Sequence, residues 1–175
     1  MEQITHIQIG KIMRNTLLFV LIFGLFICGK CNREKLHLKR QNYIGNNIRI
    51  DGFYYNKPNK AHFFLYSNGI YYDGGNLFIG TLADMEYHYT NNLYNKNSYN
   101  LPYRWGVFLI FDNKIVIEKW ISSDMMAKYP TLQFDGIIIN DTTLALHYLD
   151  DKTKRDTFYF HKCNHKPDGT NKFID

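Results

Sequence analysis

Short apolar runs alternate with polar turn residues along most of this chain, and one run near its start differs in kind. From Thr16 to Ile27 the residues TLLFVLIFGLFI leave no polar face. From residue 48 onward the runs are brief, rich in aromatic and β-branched side chains, and cut by Asn, Gly, Asp and Pro. That second pattern is the signature of strands joined by turns. It predicts strands in IRIDGFYY (48–55), AHFFLY (61–66), IYY (70–72), RWGVFLIF (104–111), IVIEKWI (115–121), LQFDGIII (132–139), TLALHYL (143–149) and TFYFHKC (157–163), with NLFIG (76–80) as a further candidate. Asn68-Gly69 marks a hairpin, because both residues tolerate positive φ. TLADMEYHY (81–89) reads either as a helical turn or as a strand extension, and 90–102 reads as a long loop.

Eight or nine strands with short connections, and no amphipathic helix long enough for a βαβ crossover, predict an all-β antiparallel meander. Closure into a barrel removes the exposed edges, and eight strands enclose an interior that side chains or one small ligand fill. The hairpin series and the Trp105-Gly106 pair resemble the lipocalin-like up-and-down barrels. An open meander or a β-sandwich is the alternative.

The early apolar run is a different problem. As a helix it would cover about 18 Å of a hydrocarbon layer about 30 Å thick. It is too short to span comfortably. Lys11 and Arg14 precede it, which is the layout of a secretory signal, and Met13 is a second possible start. The run leads into LFICGKC, Leu25 to Cys31. There the chain resembles a Gram-negative bacterial lipoprotein, in which a short lipobox ends in the cysteine that is acylated and becomes the first mature residue. The resemblance implies lipidation at Cys31, with Cys28 as the second choice, and a membrane partner reached through the lipid. Asn32, rather than an aspartate, after that cysteine implies the outer membrane. A retained apolar anchor is the competing reading, and it leaves the same domain outside the same membrane. The expected organisation is a signal over 1–30, a lipidated tether over 31–47, the barrel-like domain over 48–165 and a disordered tail over 166–175.

Charge adds little to this. The formal net charge is +5, and loss of residues 1–30 leaves +3. Much of the excess sits in Arg33, Lys35, Lys39 and Arg40 beside the anchor, where a solvated face and contact with anionic lipid headgroups are both open. There is no dense basic stripe of a nucleic-acid binder. Once Cys28 leaves and Cys31 is acylated, Cys163 has no partner, so packing rather than a disulfide must hold the domain.

Candidate chemistry is sparse. No HExxH, GxSxG, P-loop or dinucleotide glycine fingerprint occurs, so no cofactor is expected. Asp51, Asp73, Glu86, Asp112, Glu118, Asp124 and Asp135 are available for a dispersed acid pair, and a hydrolase is the third functional reading. Their default role is capping turns. His161, Cys163 and His165 in HKCNH alternate on one strand face and are the metal candidate, the alternative being a packed thiol and two surface imidazoles. The chain holds 14 Tyr, 13 Phe and 2 Trp. Strand packing accounts for most of them. Those beside irregular segments, Tyr87, Tyr89, Tyr94, Tyr99, Tyr103 and Trp105, are the candidate ligand-binding residues. The leading expectation is a non-enzymatic, lipid-anchored envelope protein that binds a small amphipathic molecule or a glycan. A structural module that docks another envelope protein is the alternative.

Overall fold

The computed structural model describes residues 33–76, 80–91, 93, 99–122, 129–147 and 154–175. Its strands are β1 (Gly52–Tyr55), β2 (His62–Leu65), β3 (Ile70–Gly75), β4 (Trp105–Phe111), β5 (Lys114–Trp120), β6 (Thr131–Asn140), β7 (Thr143–His147) and β8 (Arg155–Lys162). Each pairs antiparallel with the next, and β8 returns to β1 through Phe53↔His161 and Tyr54↔Phe160, closing an eight-stranded up-and-down barrel. The predicted hairpins are the observed ones. The candidate strand at 76–80 falls mostly outside the described residues, as do Cys28, Cys31 and Tyr94. No helix among the described residues is long and apolar enough to cross a membrane.

Alternation explains the inside of the barrel. Tyr54, Phe63, Leu65, Tyr71, Phe108, Ile115, Ile117, Ile138, Leu144, Leu146 and Phe158 form one buried cluster to which every strand contributes. The rings interlock, with Phe63 centred 5.0 Å from Phe158 and 5.3 Å from Tyr71.

Alternation fails on β1, β2 and the first half of β3, where consecutive residues are all buried. These strands are covered on their outer face too. Phe53, Tyr55, Phe64, Tyr66, Ile70, Tyr72, Met85, Tyr89, Trp105, Trp120 and Cys163 make a second cluster outside the barrel wall. Its cover includes the ambiguous 81–89 segment, which folds as helix α1 (Leu82–Thr90). Thr81 caps that helix: its hydroxyl accepts from the Asp84 amide, and the Asp84 carboxylate accepts from the Thr81 amide at 2.7 Å.

Both flanking segments depart from expectation. Residues 33–47, read as tether, lie against the barrel. Buried Glu118 accepts from the Leu38 amide at 2.7 Å and pairs with His37 at 2.8 Å. Tyr43 packs on Phe108 and donates its amide to Ser67 O. Residues 166–175, read as a disordered tail, pack as well. Lys166 donates to the carbonyls of Ile50 and Leu65, the Tyr66 hydroxyl donates to Pro167 O, and Phe173 and Ile174 join the outer cluster. The physical reason is that each segment satisfies groups the barrel leaves open: a buried carboxylate, two carbonyls and apolar wall.

The Asn68-Gly69 turn also differs in detail. Only Gly69 has positive φ, at 80°, and Tyr66 O accepts from its amide, so Ser67, Asn68 and Gly69 form a three-residue loop rather than a two-residue one.

Candidate functional site

The barrel has two unlike ends. At the turn end, where β2–β3, β4–β5 and β6–β7 reverse, Ile48, Ile50 and Tyr43 pack onto the inner cluster. The Tyr54 hydroxyl donates there to the carbonyls of Arg49 and Asp141, at 3.0 and 3.2 Å. The loop end carries the connections β1–β2, β3–β4, β5–β6 and β7–β8, and there charged side chains join Leu132 and Phe134 on the inner face.

Asp73 follows Tyr71 on the inner face of β3, Lys119 follows Ile117 on the inner face of β5, and Arg104 sits on the 3-10 turn Pro102–Arg104 that leads into β4. The three meet. Lys119 Nζ pairs with Asp73 Oδ2, and Arg104 Nη1 lies 3.7 Å from Asp73 Oδ1 and 3.4 Å from Asp73 O. Asp73 Oδ1 also accepts from the Gly75 amide at 2.8 Å. Their side chains are only 15–22% exposed.

Two glycines make room for the cluster. Gly75 has φ 90°, and a Cβ there would meet Arg104 Nη1 at 2.5 Å. Gly106 is registered opposite Lys119, and a Cβ there would meet Lys119 Cβ at 2.8 Å. Two cations thus face one carboxylate, and the surplus is positive. Arg104 Nε is buried with no hydrogen-bond partner among the described residues. Such a donor is costly to leave unmade and fits an incoming anion. Below lies the Tyr71 ring, 6.0 Å from Lys119 Nζ, on the aromatic interior. Burial holds the Tyr71 phenol protonated far above its ordinary range.

Of the candidate aromatic residues, Trp105 and Tyr89 are buried in the outer cluster. The Trp105 indole donates to Tyr99 O at 2.9 Å, and Tyr99 stacks on Tyr72 with centroids 4.8 Å apart. Tyr103 is half-buried against Tyr129, and its ring lies 5.5 Å from the Arg104 guanidinium carbon. Tyr87 stands out at 61% exposed. Most of these rings therefore pack in or against the outer wall.

Tyr89 has a further partner. Its hydroxyl lies 2.6 Å from Nε2 of buried His62. Burial lowers the His62 imidazole to about 4 and raises the Tyr89 phenol, so both are neutral at pH 7.

The HKCNH residues are not gathered. His161 stacks on Phe53 at 5.6 Å, Cys163 is buried in the outer cluster and His165 is exposed. Burial raises the Cys163 thiol and lowers the His161 imidazole. Among the described residues no group of three His, Cys, Asp or Glu side chains is placed to hold a metal.

In the sequence Asp73 stands among the turn carboxylates, and nothing local marks Arg104 or Lys119. The available signal was Tyr71-Tyr72-Asp73, where strand alternation puts the acid on the tyrosine's inner face. Arg104 and Lys119 become visible only through the β3–β4–β5 register. No protein-family model, curated protein or solved structure matches the chain.

Proposed function

We propose that this chain is a non-enzymatic cell-envelope protein, lipid-anchored at Cys31, whose barrel binds a small amphipathic acid at its loop end. The anionic group pairs with Arg104 and Lys119, and the apolar body meets the aromatic residues beneath. The observation that carries the reading is the pair of cations on the single carboxylate of Asp73, with a buried guanidinium N–H left over and Lys119 Nζ 6.0 Å from the Tyr71 ring. A glycan is the weaker fit, because most rings proposed for sugar stacking are engaged in packing the outer wall. Placement in the envelope, with the outer membrane favoured by Asn32, rests on the signal-like run and LFICGKC.

Calorimetric titration with octanoate and with octanol tests the charge requirement. The two share a tail and differ in the head. Octanoate should bind at least about tenfold more tightly, the factor expected of one charge-assisted hydrogen bond. A triple variant, Arg104→Gln, Lys119→Gln and Asp73→Asn, leaves no orphan charge and should bring octanoate down to the level of octanol. Equal binding of the two by the native chain, or no binding of either, overturns the proposal.

A further inference from the structure

A cavity lies on the outer side of the barrel wall. It measures about 530 Å³ and is walled on one side by residues 33–40 and on the other by 173–175. Its floor is Trp120 and Val107, from the outer faces of β5 and β4.

The groove is built rather than incidental. The Trp120 indole donates to Glu34 O at 2.6 Å, and the Glu34 amide donates to Tyr129 O at 3.2 Å. Arg33 places its guanidinium carbon 4.9 Å from the Trp120 ring and 5.3 Å from Phe173. Glu34, one of the groove's two acidic residues, spends its carboxylate on the Thr131 amide at 3.1 Å. Opposing it are Arg33, Lys35, Lys39 and Arg40, of which the last three are exposed and make no ion pair among the described residues. The result is a groove with an apolar and aromatic floor and a basic rim.

We propose that this groove seats the protein on a bilayer containing anionic phospholipid, the headgroup phosphates pairing with Lys35, Lys39 and Arg40 and the interfacial carbons meeting Leu36 and Phe173. Charge complementarity argues for it. So does position: the rim begins two residues after Cys31, the residue at which the proposed function tethers the chain, and this inference rests on that reading. Basic residues beside an anchor add affinity for anionic leaflets and, as a second signal, stabilise attachment that one lipid chain holds weakly. The tether is then replaced by a docked face, with the barrel held close to the bilayer.

The test uses the full chain in vesicles of phosphatidylcholine alone and of phosphatidylcholine with phosphatidylglycerol at about seven to three. Hydrogen exchange of amides 33–40 is the readout. Anionic vesicles should slow it at least about tenfold relative to neutral ones, given the worth of each basic residue near such a surface. High salt should remove the difference. The variant Lys35→Glu, Lys39→Glu, Arg40→Glu should lose it too, while exchange in β4 and β5 stays unchanged and shows the fold intact. Equal exchange at 33–40 in the two vesicle types, or a variant that behaves as the native chain, overturns the inference. Flotation with neutral vesicles reports on the anchor separately: a chain that stays behind defeats the anchoring reading, while protection that depends on anionic lipid still upholds the groove.

Discussion

Single residues in this molecule show how burial sets charge. His62 lies under α1 with Phe53, Phe64 and Tyr89 around it, and burial lowers its imidazole from 6.5 to about 4. The sign follows from proton uptake. Between those values the unfolded chain binds a proton that the folded chain refuses, so stability falls as pH drops from about 6.5 towards 4, by up to about 3 kcal/mol. His62→Gln retains a polar neighbour for the Tyr89 hydroxyl and does not titrate. Urea midpoints at pH 7 and pH 5 should therefore differ clearly for the native chain and much less for the variant; equal slopes would show that His62 takes up its proton inside the fold. This residue was not legible in advance. AHFFLY shows a histidine on a strand, and only the helix that covers the outer wall makes it a buried one.

Among the elements, α1 and the 33–47 strap do most to turn a simple barrel into this fold. α1 is short and weakly amphipathic, with Met85 and Tyr89 as its buried contacts, so its own propensity says little. Packing decides its state, which is why TLADMEYHY read ambiguously. Met85→Ala should cost about 2–5 kcal/mol in chemical denaturation, the range for truncating a buried side chain. Thr81→Ala should cost only about 1 kcal/mol, the worth of a cap. A larger loss from the cap than from the core contact would contradict the helix's role as a lid on the aromatic wall. The strap hangs on Glu118. Burial pushes that carboxyl up, but the Leu38 and His37 hydrogen bonds outweigh it and hold the net value below the ordinary one. A depressed acid stabilises above its ordinary pKa near 4.5 and loses that contribution as pH falls through the folded value. The native chain should thus exceed Glu118→Gln in urea midpoint at pH 6, with the gap closing at pH 3. A gap that persists at pH 3 would assign the difference to shape rather than charge. In the sequence, REKLHLKRQ has the look of solvated linker because its partners, Glu118, Trp120 and Tyr129, lie far along the chain.

At the scale of the whole molecule, the hairpin series was plain from turn residues and strand runs, because those signals are local. Closure was an inference, and the pairing of β8 with β1 is a long-range fact. The charged cluster was hidden for the same reason: Asp73, Arg104 and Lys119 come from three segments and meet only when β3, β4 and β5 are in register. The chemistry named in advance was local, in HKCNH and in the tyrosines of the β3–β4 connection. Its described members went largely into the outer wall. The proposed function rests on the place where β3, β4 and β5 bring two cations and a carboxylate together on the inner face. The most direct measurement is carbon-13 NMR of carboxyl-labelled octanoate, titrated with pH in the presence of the protein. Binding at Arg104 and Lys119 predicts a bound carboxyl resonance, separate from the free acid, whose pKa lies below that of free octanoate and which disappears in the Arg104→Gln, Lys119→Gln, Asp73→Asn variant. A carboxyl resonance that titrates like free octanoate throughout, or a bound one that survives the triple substitution, would contradict it.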